Sequence, residues 1–260
     1  MINKVFSTFD EVVADIPDGA VIAIECWGYP ATPQNLIAAL KRKGTKDITV
    51  ITHTFIPMVW PEEDAVLPSF LLPQMKKLIT SIAGIMGLGA GAFLQEYVQK
   101  GMEVEIVGHG TLAARIQAGA LGLGGIYDPM GIGTLLEEGK EKRIIKGKEY
   151  LFQEPIKPDY AFIAAHKADK LGNLVFKGGY RGDQPAMAMA ARTTIVETDR
   201  IVEVGEIDPE HVVVAGAFVD RIVEVPPDGY GTPEKGAKLI ALLTQIGSVR
   251  DLLFGKIDKK

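Results

Sequence analysis

Where its strand-like runs end, this sequence sets residues able to do acid–base or nucleophilic work. AVIAI, residues 20–24, is followed by Glu25-Cys26-Trp27-Gly28. DITVIT, 47–52, is followed by His53-Thr54, and MEVEIVG, 102–108, runs into Gly108-His109-Gly110. An imidazole moves a proton near neutral pH, and a carboxylate beside it can orient it or act as a base. Cys26 is the one cysteine; beside an apolar strand it reads more readily as a small buried hydrophobe than as a nucleophile. Other signals are weaker. Histidines 53, 109, 166 and 211 show no metal-ligand spacing, and neither a G-x-S-x-G elbow nor a Walker lysine motif occurs. GLGAGAF, 87–93, has the spacing G-x-G-x-G without an evident acidic partner for a ribose, which favours a tight loop over a dinucleotide site.

The elements that must position these residues alternate. An amphipathic helix over 8–15 puts Phe9, Val12 and Val13 on one face, and Ile16-Pro17-Asp18-Gly19 turns the chain. A helix follows the first strand, with Thr32 as its cap, Pro33 at its first position and Gly44 past a basic last turn. Strand, helix, strand in about thirty residues is a βαβ unit with parallel strands. Further strands are expected at 76–83, 102–108, 160–169, 173–176, 194–199 and 200–203, with a strand pair over 211–225. Helices are expected at 91–100, 111–122, 185–194 and 234–256. The pattern predicts an α/β fold, a mostly parallel open sheet with helices on both faces. Ligands of such sheets bind beyond the carboxyl ends of the strands, so Glu25, His53, Gly84 and His109 are expected on one rim.

Composition narrows the classes of function. The chain has 260 residues, 28 Lys+Arg against 33 Asp+Glu and a net charge of −5. Nothing in that balance suggests nucleic acid or an anionic membrane as a partner. A single cysteine fits a reducing compartment, no apolar run is long enough to span a bilayer, and the N-terminus lacks a signal-peptide pattern. The expected location is the cytoplasm.

GHGTLAARIQAGALGLGGIYDPMGIGTLLEEGKE, 108–141, resembles the α subunit of family I CoA-transferases, whose pattern runs P-Q-G-T-L-x-E-x-I-R-x-G-G-A-G-L-G-G-F-x-T-P-T-G-V-G-T-x-V-x-E-G-K. KADKLGNLVF, 167–176, and QPAMAMAARTTIVET, 184–198, resemble further family motifs, and the likeness extends over about residues 5–226. It implies a CoA-transferase fold in one α-subunit domain over 1–260. It also implies a β-subunit partner, an acyl-CoA thioester and a carboxylic acid as substrates, and no permanently bound cofactor or metal. In that family a β-subunit glutamate, in a Ser-Glu-Asn-Gly motif absent from this chain, attacks the thioester and forms an acyl–glutamyl anhydride.

The departures from the family pattern fall on the chemistry. The glycine loop G-G-F-G-x-x-G after the first strand is replaced by Glu25 to Ala31, an Asn-Asn or Asn-Asp pair by His53-Thr54, and the glutamine of P-Q-G-T by His109. The resemblance therefore implies Glu25, His53 and His109 as catalytic residues. The histidines would act as oxyanion donors or proton carriers, and Glu25 as their orienting partner or base. Trp27, Gly28, Thr54, Gly108 and Gly110 would bind substrate or CoA, the two glycines letting the histidine loop approach the thioester. The plainer readings are an ion pair for Glu25 at a subunit interface and structural bonds from the histidines to backbone. FIPMVWPEEDAVLPSF, 55–70, reads as a loop shaping a larger, more apolar acyl pocket. The leading functional expectation is CoA transfer with a β subunit. The alternatives are a CoA-thioester-linked hydrolase, including ring-opening C–C hydrolysis, and a non-catalytic scaffold subunit.

Overall fold

A computed structural model of the chain describes residues 3–26, 31–56, 65–84 and 91–230. Seven parallel strands form its central sheet. They are β1 (Val21–Ile24), β2 (Ile48–Phe55), β3 (Met75–Ala83), β4 (Glu103–Ile106), β8 (Tyr160–Ala165), β11 (Thr193–Thr198) and β13 (Arg221–Glu224), in the order β13-β11-β8-β1-β2-β3-β4. α1 (Phe9–Val13), α2 (Gln34–Lys43) and α3 (Gly91–Gln99) share one core with the sheet, built on Ile22, Ile24, Val50, Leu78 and Phe162. α4 (His109–Ala120) and α5 (Gln184–Ala190) share the other, built on Ala23, Ile51, Ile79, Ala161 and Ile163. This is the expected architecture, a parallel sheet covered by helices on both faces. Successive strand residues go to opposite cores because side chains alternate across a strand.

Several local expectations need correction. α2 is capped at Pro33 rather than Thr32, with no side-chain cap of its own. Its Leu36 N–H is taken by Glu197 Oε2 on β11 at 3.0 Å, so a carboxylate from the sheet does the work of a cap. The pair of strands expected over 211–225 shrinks to β13 alone. Asp208-Pro209 starts a single turn, Gly216 another, and Val214 makes only an isolated bridge to Leu174. β9 (Lys167–Asp169) pairs with β10 (Leu174–Val175) and β12 (Ile201–Val202) in a small sheet of its own. A second small sheet was not expected at all: β5 (Ile126–Asp128), β6 (Lys142–Ile145) and β7 (Lys148–Gln153). The hairpin joining β6 and β7 turns at Lys146 and Gly147, with φ of 50° and 78°, the left-handed pair that a tight hairpin needs. Part of the proline-rich stretch 55–70 is core rather than pocket wall: Phe55 stacks on Phe93, and Phe70 and Leu71 are buried in a 3-10 helix, Pro68–Gln74. Met58 and Trp60, like the closing helix expected over 234–256, lie outside the described residues. No helix among the described residues is long and apolar enough to cross a membrane.

Candidate functional site

The site is built on the second-core side of the sheet. Ala23 and Ile51, two residues before Glu25 and His53, both belong to that core. Glu25 lies just past β1 and is 1% exposed. Its Oε1 accepts the Cys26 N–H at 3.0 Å and its Oε2 the Asp183 N–H at 2.9 Å. Among the described residues these backbone donors hold it. Gly182 presses on the same carboxylate: a Cβ there would lie 2.7 Å from Oε2, and its φ of +45° suits glycine. Burial raises the Glu25 pKa, against the opposing pull of His53, and the nearby Asp183 charge adds to the rise.

His53 is not beyond its strand as expected. β2 continues to Phe55, held in register to Ala83 of β3, so His53 is a strand residue, 3% exposed. Its Nε2 lies 2.7 Å from Asp183 Oδ2, while its buried Nδ1 has no hydrogen-bond partner among the described atoms. Asp183 stands immediately before α5 and therefore ties Glu25 to His53, giving its N–H to one and its carboxylate to the other.

His109 is the first residue of α4 rather than part of a loop, and it is exposed. Its ring centroid is 4.6 Å from that of His53, with the planes inclined by 52°. Its Nδ1 lies 2.7 Å from Ser81 Oγ, which also donates to the His53 carbonyl oxygen at 2.6 Å. Burial lowers the His109 pKa, His53 lowers it further, and Asp183 opposes both. Among the described residues both imidazoles thus bond to side chains.

The other expected residues fare differently. Trp27 and Gly28 lie outside the described residues. Strand alternation sends Thr54 to the side of the sheet away from His53, so it is not brought to the cluster. Gly108 precedes α4 with an ordinary φ of −53°, but a Cβ there would lie 3.2 Å from Thr111 Oγ1, a tight approach, whereas a Cβ at Gly110 would meet nothing within 4 Å. Cys26 is 2% exposed and burial pushes its thiol up to about 12, which fits the buried hydrophobe and not a nucleophile. Most of GLGAGAF also falls outside the described residues.

Asp183 and Ser81 were missed. Register could have found Ser81, since Thr52 pairs with Thr80 and Thr54 with Ile82, setting Ser81 beside His53. Asp183, just before a Pro-containing helix start, reads as a cap; its side chain makes no capping bond and serves His53 instead. Together these groups form a carboxylate–imidazole pair, its imidazole buried and its carboxylate half-buried, behind an exposed imidazole, an arrangement suited to moving a proton at the protein surface.

The same chain has clear relatives. Residues 6–225 match the family described as Coenzyme A transferase. The A-type subunit of the 3-oxoadipate CoA-transferase of Acinetobacter baylyi is 40% identical over 226 residues, covering 86% of this chain and 96% of that one. Its counterpart from Pseudomonas putida is 37% identical over 225 residues, covering 86% and 95%. Among solved structures, an acyl-CoA transferase of Escherichia coli O157:H7 superposes with a TM-score of 0.75 at 22% identity, a likeness of fold. The alignment takes in 89% of this chain and 49% of that longer one, so this chain spans about half its length. On the extent of the sequence match and the identity to whole subunits, this chain belongs to the coenzyme A transferase family.

Proposed function

We propose that this chain is the α subunit of an enzyme that passes coenzyme A from an acyl-CoA thioester to a carboxylic acid, working with a β subunit of the same family. The observation that carries the reading is the match to the A-type subunits of 3-oxoadipate CoA-transferases along nearly their whole length. The β subunit supplies the carboxylate nucleophile, as the family resemblance implies, and this chain supplies the opposing wall. In that wall His109 meets the thioester, and His53, Asp183 and Glu25 stand behind it as a proton reservoir. The first-turn amides of α4 at Gly110 and Thr111 have no partners inside the helix, and they point at the same rim, where a carbonyl oxygen gathering charge would need donors.

The test uses the chain co-purified with its β subunit, an acyl-CoA labelled in the CoA moiety, and acetate. Labelled acetyl-CoA with double-displacement kinetics is expected. Glu25→Gln and His109→Ala should each lower turnover by about 10²-fold, the scale of a lost proton-transfer group. Unchanged turnover in both would leave this chain a scaffold.

One observation favours a second reading. An Asp–His pair at 2.7 Å beside another imidazole also suits activation of water, which would make the reaction hydrolysis of the thioester or of a C–C bond next to it. Release of free CoA at a rate indifferent to acetate would select that reading over transfer.

A further inference from the structure

We propose that Ser81 is a positioning residue that fixes His109 in a single tautomer, with the proton on Nδ1 and the lone pair on Nε2, so that this ring takes a proton rather than gives one. The inference rests on the reading of His109 as the residue that meets the substrate.

The argument is a count of hydrogens. A serine hydroxyl has one. Ser81 Oγ lies 2.6 Å from the carbonyl oxygen of His53 and 2.7 Å from His109 Nδ1. A carbonyl oxygen only accepts. If the hydroxyl hydrogen went to Nδ1, two oxygens would face each other at 2.6 Å with no hydrogen between them. The hydrogen therefore goes to the carbonyl, Oγ is left as an acceptor, and Nδ1 must carry the proton it receives. Nδ1 keeps that proton in the charged ring too, so gaining a proton at Nε2 leaves the anchor to Ser81 intact.

The surroundings agree. Among the described residues, the charged and titratable groups that act on His109 include His53 from β2 and Asp183 from the segment before α5, with Glu25 of the β1 end behind Asp183. Burial and His53 hold the His109 pKa below its usual value, which keeps the ring neutral and Nε2 unprotonated near pH 7. The His53 Nε2–H is likewise committed, to the Asp183 carboxylate. In their neutral forms the N–H groups of both rings are thus spent on protein partners. Neither ring replaces the amide donor that the family pattern places at 109; the oxyanion must draw on backbone N–H groups, and His109 serves as the base, taking at Nε2 the proton of an attacking water or of the CoA thiol.

The experiment is long-range ¹H–¹⁵N NMR on the full chain, labelled at histidine and co-purified with its β subunit, above the pH at which His109 titrates. His109→Gln assigns the signal by removing it. Wild type should show the Nδ1–H pattern, Ser81→Ala should lose it in favour of Nε2–H or a mixture, and Ser81→Thr, which keeps the hydroxyl, should restore it. An Nε2–H pattern in wild type, or no change in Ser81→Ala, overturns the proposal. Should Ser81→Ala not fold, the wild-type and Ser81→Thr spectra still decide. In turnover, kcat/KM of the wild-type complex should fall on the acid side with a pKa below the usual 6.5 of histidine. Ser81→Ala should cost about 10–100-fold in kcat with a smaller change in KM. His109→Gln, which donates but cannot take the proton, should be as impaired as His109→Ala; full activity in it would refute the base role. An Nδ1–H spectrum in a complex that transfers no CoA would sink the functional reading and leave the tautomer standing.

Discussion

Glu25 has no room to choose its geometry. Its carboxylate is buried, takes two backbone N–H groups and is pressed from above by Gly182. Gly182→Ala should therefore act twice. A residue with a Cβ at φ +45° costs about 1–3 kcal/mol as backbone strain. The same Cβ, 2.7 Å from Oε2, must displace the carboxylate and with it the Asp183 amide that positions the partner of His53. Urea denaturation should show that loss of stability, and the folded fraction should turn over at least tenfold more slowly, since small misplacements of a reacting constellation are expensive. A destabilised variant with unaltered turnover per folded molecule would show that Glu25 and Asp183 take no part in the reaction. At this scale the sequence exposed the ends of the strands well, because Glu25 and His109 interrupt apolar runs. It hid Asp183 and Ser81. Asp183 reaches His53 across 130 positions of chain, and Ser81 looks like one more polar residue of a half-buried strand.

The elements were legible where their pattern was long. β1, α2 and β2 stand out because each is a continuous apolar or amphipathic run with a turn at either end. The small sheet of β5, β6 and β7 was not legible, since β6 is exposed along its whole length and offers no buried face to betray it. Nor could the sequence show that Glu197 caps α2. That carboxyl is fully buried between β11 and the helix start, where it accepts from Asn35 Nδ2 and from Leu36 N–H, each at 3.0 Å. Burial pushes its pKa up to about 8, although those donors favour the charged form. The unfolded chain ionises it near the ordinary glutamate value of about 4.3. Between that pH and about 8 the folded state holds a proton that the unfolded state has released. Stability must therefore fall as pH rises through this window, by up to about 1.4 kcal/mol per pH unit. Glu197→Gln cannot ionise. Its amide forfeits one of the two donors, so at pH 5 it should be less stable than wild type by about 1 kcal/mol. It should then gain on wild type steadily towards pH 8. Urea midpoints at pH 5, 6, 7 and 8 measure this, and parallel curves for the two proteins would show that Glu197 does not titrate on folding.

At the scale of the whole molecule, the parallel sheet has two edges, and the chain closes one of them with its own first residues. Phe6 N–H donates to Ile222 O at 2.9 Å, Ile222 N–H donates to Lys4 O at 2.8 Å, and Val5 bridges Ile222 in parallel. Lys4 Nζ reaches Gly216 O at 2.6 Å, fastening the same segment to the turn before β13. These residues act as an eighth strand too short for a sequence pattern to reveal, and without them β13 would offer unpaired N–H and C=O groups to any passing strand. Removing residues 1–6 leaves Thr8 and Glu11 to cap α1 as before. The loss should be about 2.5–6 kcal/mol, from three hydrogen bonds of which one is charged. The shortened chain should melt at lower temperature and show concentration-dependent aggregation by size-exclusion chromatography. Its turnover per folded molecule should nevertheless match the full chain, because β11 and β8 stand between β13 and the strands that carry Glu25 and His53. A loss of turnover with the melting temperature preserved would mean that the edge is coupled to the rim through the sheet, and that the site depends on more of the molecule than the strand ends and helix starts that build it.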